Sequence, residues 1–284
     1  MKRLLPALAM LAVLGGTPAR AQNAGHDDTR PLIVGLDVGE RPFAFTEANG
    51  QVAGFSYDLA KLIAERLGRP GMEVVDVNFS AMFAGLFSGR FEMSTAPVTI
   101  RPERAERLLF SEPFLSTGMA FITRRNLGLD SLEALSGRTL AVNTGGSHDQ
   151  WATANAQTYG FTIQRYNKTA DALQAVLSGR AQVMLTEEPV ARSFVTLSPT
   201  IQVARTLETG LAFGLIFRNE DEAFRDRVEV ILECIKTSGA MRDLHRKWFG
   251  IDPAPGSVAA TPMPGFGPPG FTGFRASAEP PGCR

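Results

Sequence analysis

Between about Pro31 and Ile251, short β-type runs alternate with amphipathic helical stretches, and the second half of this region repeats the layout of the first. Apolar runs of strand length separated by stretches with helical periodicity specify an α/β fold. Ile33 to Asp37 reads as a buried strand. Ser56 is then expected to cap a helix whose apolar face is Leu59, Leu62, Ile63 and Leu67, stopped by Gly68 and Pro70. A strand from Glu73 to Val77 follows. Ser80 is expected to cap a second helix carrying Met82, Phe83 and Leu86, which Gly89 ends before a strand from Glu92 to Ala96.

The second half runs from a strand, Thr139 to Asn143, through a helix containing Trp151 to a strand from Phe161 to Arg165. A helix with Leu173, Val176 and Leu177 and a strand from Gln182 to Leu185 complete it. Phe87-Ser88-Gly89-Arg90-Phe91-Glu92-Met93 is echoed by Leu177-Ser178-Gly179-Arg180-Ala181-Gln182-Val183-Met184, each a helix end leading into a strand. Two similarly built lobes are expected. Leu211 to Phe217 adds a strand, and helices follow from about Asp221 to Thr237 and from Ala240 to Trp248.

The two ends of the chain have other compositions. Lys2-Arg3, the apolar run Leu4 to Leu14 and Ala19-Arg20-Ala21 form the charge, apolar and small-residue order of a secretory signal, predicting export with cleavage near Ala21. No later segment has the roughly 18 apolar residues that a membrane helix needs. From Pro253 onward, 14 of 32 residues are Pro or Gly, and Pro264-Gly265-Phe266 recurs as Pro269-Gly270-Phe271. Residues 253–284 are therefore expected to be a flexible tail. With only Cys234 and Cys283 present, a disulfide framework is not expected. Cys234 lies beside the apolar stripe Phe224, Val228, Ile231, Leu232 and Ile235, where an inert buried thiol is expected, a bridge to Cys283 being the alternative.

Charge and motifs narrow the function. Lys plus Arg and Asp plus Glu each number 29, but Lys2, Arg3 and Arg20 lie in the leader, so the remainder is slightly acidic. Nucleic-acid binding is not expected, because it normally requires a basic patch to neutralise phosphates. His26, His148 and His245 are scattered, no Cys-x-x-Cys or His-x-x-x-His occurs, and no nucleophile elbow, P-loop or dinucleotide fingerprint is present. Ligand binding is expected ahead of catalysis, with no metal or cofactor.

Several short motifs stand in a telling order. Asp37 is followed by Pro42-Phe43-Ala44-Phe45, then Gly54-Phe55-Ser56-Tyr57-Asp58-Leu59, Thr99-Ile100-Arg101-Pro102-Glu103-Arg104, Phe110-Ser111-Glu112-Pro113-Phe114 and Lys247-Trp248-Phe249-Gly250. From about Leu32 to Gly250 the chain resembles the solute-binding proteins of ABC importers, the polar amino-acid-binding family 3 type. The resemblance implies a two-lobed periplasmic binding protein fold, each lobe a mixed sheet flanked by helices, with the ligand in the cleft between them. It divides the chain into lobe 1, residues 32–116 plus 211–250, and lobe 2, residues 117–210.

The resemblance also assigns roles. A ligand carboxylate is best held by a guanidinium fork and backbone N–H groups. Arg104 in Thr-x-x-x-x-Arg is the fork, with Thr99 beside it, although Arg101, Arg104 and Arg107 taken alone read as a solvated helix face. Asn143-Thr144-Gly145-Gly146-Ser147 lies between a strand and a helix and can form an anion-binding nest, with Ser147 meeting the carboxylate from the second lobe. Glu187 looks like the acid that receives the ammonium, where Asp is usual. Asp37 is the matching acid of the first lobe. Phe79 and Glu40 resemble the pair that sandwiches the side chain, Glu40 standing where an aromatic is common. Pro97 offers a carbonyl where Gly is common, and Asn143 and Thr186 add polar contacts.

Asp37, Glu40 and Glu187 together would make an acidic pocket, which favours a cationic amino acid or related amine. Opposite ends of one small polar solute would be gripped by different lobes, so that binding stabilises closure and an ABC permease reads the result. Hinges are expected near Phe114 to Gly118 and Arg205 to Gly210, and a periplasmic monomer is expected. Two alternatives remain open: a cyclohexadienyl dehydratase-like enzyme using Glu187 as general acid, and a sensory or accessory binding module.

Overall fold

The computed structural model describes residues 26–277; the leader and Cys283 lie outside them. Strand β1 (Leu32–Leu36) is followed by the small hairpin β2 (Phe45–Thr46) and β3 (Val52–Ala53) and by helix α1 (Phe55–Arg66). Strand β4 (Met72–Asp76), helix α2 (Phe79–Phe87), strand β5 (Met93–Thr99) and the short helix α3 (Pro102–Ala105) complete the first βαβ run. Two strands, β6 (Leu109–Phe110) and β7 (Leu115–Arg124), lead to β8 (Thr139–Asn143), α4 (Ser147–Tyr159), β9 (Thr162–Tyr166), α5 (Thr169–Leu177) and β10 (Val183–Glu187). Helix α6 (Glu188–Leu197), the long strand β11 (Ile201–Phe217) and helices α7 (Glu222–Thr237) and α8 (Ala240–Phe249) follow.

The strand order is β4-β1-β5-β11-β7-β10-β8-β9, with β6 also paired to β11. Lobe 1 is built on the parallel strands β4, β1 and β5, and lobe 2 on the parallel strands β9, β8 and β10. Strands β7 and β11 run antiparallel to each other and join the two. The second half of β11 pairs β5 in lobe 1, while its first half pairs β7, which in turn pairs β10 in lobe 2. The β7–β11 register is interrupted between Leu207 and Leu211, where Gly210 has a φ of +64°.

Sequence motifs far apart in the chain meet in the frame of lobe 1. The Asp58 carboxylate accepts from the Lys247 ammonium at 2.7 Å and the Trp248 indole N–H at 2.8 Å, and Phe55 packs on Phe249 with ring centroids 5.1 Å apart. Phe43 and Phe213 join that aromatic cluster edge-on. A second core lies between the lobe 2 sheet and α4, with Phe121, Leu140, Val142 and Phe161 around Ala152.

Neither expected serine caps its helix. Gly54 precedes α1 and Asn78 precedes α2, without side-chain capping bonds. Instead the Phe55 and Ser56 N–H groups donate to the carbonyls of Pro42 and Phe43, and the Phe79 N–H donates to Asp37 Oδ2 at 2.9 Å. Tertiary acceptors satisfy the open helix ends that local side chains commonly serve. Gly54 has a φ of +136°, and a Cβ there would lie 2.1 Å from the Phe43 carbonyl oxygen, so this approach needs glycine.

The C-terminal segment is also not a free appendage. Residues 253–277 lie along lobe 1, where Phe266 and Arg275 form a β-bridge and Ala259 is buried. The Met263 N–H donates to Glu112 Oε2 and the Gly267 N–H to Glu229 Oε1. Arg225, fully buried on α7, donates to the carbonyls of Phe110 and Gly273. Composition predicted flexibility because Pro and Gly forbid helix and ladder, but the buried side chains of Glu112 and, on α7, of Arg225 and Glu229 supply backbone partners instead. Cys234 is half-buried and disulfide-bonded rather than an inert thiol; Cys283 is the chain's other cysteine.

Candidate functional site

The carboxyl ends of the parallel strands and the helix starts that follow them face each other across the two lobes, the usual position for a ligand in open α/β sheets. All ten residues expected at the site are buried. Asp37, Glu40, Phe79, Pro97, Thr99 and Arg104 come from lobe 1; Asn143, Ser147, Thr186 and Glu187 come from lobe 2.

Arg104 sits on α3 but turns inward, away from a solvated face, and is 7% exposed. Its Nη1 donates to the Thr99 carbonyl at 3.0 Å and its Nη2 to the Gly145 carbonyl of lobe 2 at 3.2 Å. The rings of Phe79 and Phe83 lie 5.5 and 5.4 Å from the guanidinium carbon, within cation–π range. Burial pulls the Arg104 pKa down to about 10, with Arg101 adding to the shift and Glu187 opposing it. Two of its five donors meet backbone carbonyls, which leaves capacity for a planar anion.

On lobe 2 the loop before α4 is shaped by two glycines. Gly145 has a φ of +84°, and its N–H donates to Asp149 Oδ2 at 2.9 Å. A Cβ on Gly146 would lie 2.3 Å from the His148 ring, which folds back over the loop. Ser147 begins α4, and its Oγ accepts from Arg101 Nε of lobe 1 at 3.2 Å. Asn143 donates to the Asn167 carbonyl at 3.2 Å, and Thr186 donates to Glu187 Oε2 at 3.2 Å.

The acidic pole differs from the expected bare set of carboxylates. Asp37 Oδ1 accepts from the Lys168 ammonium at 2.8 Å; Lys168 comes from lobe 2 and also reaches Asp76 Oδ1 at 2.8 Å and the Val38 carbonyl at 3.2 Å. Burial pushes the Asp37 carboxyl above its usual range, with Lys168 pulling the other way. Glu187 Oε1 lies 3.0 Å from His148 Nδ1, and His148 Nε2 lies 3.1 Å from the Asn143 carbonyl. Burial alone would lower the His148 pKa, but the Glu187 carboxylate overrides it and the net direction is upward; Glu187 correspondingly sits below its usual value. Glu40 receives the Thr169 hydroxyl at 3.4 Å. Burial and the neighbouring charges of Glu187 and Asp37 raise its pKa well above the usual carboxylate range.

Sequence reasoning missed His148, Lys168 and Thr169. His148 immediately follows Ser147, in the loop already singled out. Lys168 and Thr169 were reachable from the internal echo, because Ser88-Gly89-Arg90 and Ser178-Gly179-Arg180 set the halves 90 residues apart. That offset pairs Asn78 with Lys168 and Phe79 with Thr169, both helix starts at the cleft.

Known proteins share this architecture. The arginine-binding extracellular protein ArtP of Bacillus subtilis is 26% identical over 254 residues, covering 87% of this chain and 98% of that protein. The cyclohexadienyl dehydratase of Pseudomonas aeruginosa is 28% identical, covering 87% and 94% respectively. An ancestral arginine-binding protein, solved with arginine and with glutamine, superposes with TM-scores of 0.74 and 0.73 at 29% identity, over 78% of this chain and 98% of that one. Residues 32–251 match the profile of the bacterial extracellular solute-binding proteins, family 3, and the chain belongs to that family.

Proposed function

We propose that the protein captures an α-amino acid by closing its lobes and delivers it to the permease of an ABC importer, binding its ligand without transforming it. The observation that carries this reading is the buried Arg104, which bonds to carbonyls of both lobes, together with the buried Glu187 of lobe 2, held by His148. A zwitterion fits that polarity: its carboxylate to Arg104, Thr99 and Ser147, its ammonium to Glu187 and the Pro97 carbonyl. The side chain then lies between Phe79 and Glu40, near Asn143 and Thr186. A cationic side chain is favoured because Glu40 is the remaining acid there, Asp37 being engaged by Lys168.

In this reading lobe 1 comprises residues 32–116 and 211–250 and lobe 2 residues 117–210. The register break at Leu207 to Leu211, opposite Thr117 to Met119, supports hinges close to those expected. The protein acts as an exported monomer released by cleavage near Ala21.

The test uses the mature chain from Gln22, unfolded and refolded under oxidising conditions to strip carried-over ligand. Calorimetric titration with arginine, lysine, ornithine, glutamine and glutamate is expected to show tightest binding for a basic amino acid. Arg104→Ala should weaken binding on the order of 100-fold, from two charge-assisted bonds of about 1.5 kcal/mol each. Glutamate binding more tightly than arginine removes the cationic assignment. The alternative enzyme reading places its general acid at Glu187, but His148 holds that carboxyl below its usual value, the wrong direction for donating a proton; the cleft acid that burial and neighbouring carboxylates push upward is Glu40. Loss of water from prephenate or arogenate in the presence of the protein would establish that reading over simple binding.

A further inference from the structure

Glu40 is the one acid of the cleft whose carboxyl meets no cation at hydrogen-bond distance among the described residues. Asp37 is bonded to Lys168 and Glu187 to His148, whereas Glu40 is 7% exposed and meets the Thr169 hydroxyl. Three elements face it. Asp37 follows β1, Glu187 ends β10, and Lys168 with Thr169 opens α5. Two of those groups are carboxylates that oppose its ionisation. The one ammonium is already shared among Asp37, Asp76 and the Val38 carbonyl. A closed cleft therefore leaves Glu40 two stable conditions: protonated, or ionised against a cation brought by the ligand.

We propose that Glu40 changes its protonation state with the ligand, so that one cleft takes cationic side chains with Glu40 ionised and neutral amide side chains with Glu40 protonated, and pH sets the preference. The inference rests on the amino-acid reading above. With a cationic side chain, the carboxylate accepts its N–H groups. With an amide side chain, the acid O–H donates to the amide oxygen, and the proton comes from solvent. Closure on the neutral ligand binds one more proton than closure on the cationic one, whatever the state of Glu40 in the open protein. Burial and the charges of Glu187 and Asp37, which raise its pKa, support the same balance.

The experiment titrates the mature chain with L-arginine and L-glutamine between pH 5.5 and 8.5, and repeats one pH in buffers of different ionisation enthalpy. Uptake in the glutamine titration is expected to exceed that in the arginine titration by about one proton. The ratio of glutamine Kd to arginine Kd should rise up to tenfold per pH unit while Glu40 is protonated in one complex and ionised in the other. Glu40→Gln should erase the proton difference, flatten the ratio and weaken arginine more than glutamine. Equal proton counts for the two ligands in the unmodified protein overturn the inference, as does a difference that persists in Glu40→Gln. So does binding of only one of the two ligands across the whole pH range. Absence of heat with every amino acid instead removes the amino-acid reading itself, and the inference with it.

Discussion

Lys168→Met isolates the energy that holds the lobes together at the acidic pole. The ammonium, on lobe 2, lies 2.8 Å from both Asp37 and Asp76 on lobe 1. The Asp76 side chain is 56% exposed, so water screens that half of the contact to near nothing. Asp37 is different, with 2% of its side chain exposed. Breaking a fully buried pair costs about 3 to 5 kcal/mol. Here Lys168 is 25% exposed and Asp37 keeps its bond from the Phe79 N–H, which reduces the cost to about 2 kcal/mol. Both groups hydrate when the cleft opens, so the penalty falls on the closed form and not on folding. Ligand affinity contains the closing free energy, and 2 kcal/mol corresponds to a Kd raised roughly 30-fold. Isothermal calorimetry on the variant and the unmodified protein reads this directly, with the ligand-free melting temperature as a control for the fold. Added salt should narrow the gap between them. A Kd within twofold of the unmodified protein refutes the assignment of Lys168 as a closing contact.

Two further expectations concern the C-terminal segment. Burial, with Glu112 adding to it, raises the Glu229 carboxyl to about 8, so the native state holds a proton that the unfolded chain releases near pH 4.5. Stability from this group is full below pH 4.5 and is lost as pH rises through 8. Glu229→Gln keeps the acceptor for the Glu112 and Gly267 N–H groups, so the fall in melting temperature between pH 5 and pH 9 should be shallower than in the unmodified protein; an unchanged slope counts against it. Cys234→Ser should cost about 2 to 4 kcal/mol of stability by removing the disulfide, measured by chemical denaturation, while leaving ligand Kd unchanged because α7 contributes nothing to the cleft.

The fold was legible where local signals and tertiary demands agree. Strand β8 occupies the expected Thr139 to Asn143, because a continuous apolar run bounded by turn residues needs no partner to be recognised. Strand β11 was legible only from Leu211 on, where it is mostly buried; from Gln202 to Gly210 its half-exposed residues carry no apolar run. The caps of α1 and α2 were misplaced because their acceptors are Pro42, Phe43 and Asp37, invisible to a window around Ser56 or Ser80. Arg104 was found through its motif, since spacing alone grouped it with Arg101 and Arg107. The charge of the pocket was misjudged for a related reason. Acids were gathered by position, but two of them are neutralised by groups outside that set: His148, beside Ser147 in the loop already singled out, and Lys168, on a helix start that the internal echo connects to the cleft.

Strands β7 and β11 are hydrogen-bonded to each other on both sides of the register break. A lone strand between two lobes could twist or shear as well as bend. A paired ribbon resists shear and in-plane bending, which would break its ladder bonds, so a relative motion of the lobes that keeps those bonds is narrowed to bending and twisting of one ribbon. That ribbon carries the arrangement in which the Gly145 carbonyl meets the Arg104 donor and Lys168 meets its two carboxylates. A transporter that senses the separation between the lobes would be reading the shape of that ribbon, and occupancy would be encoded as an angle rather than as a chemical contact with the solute.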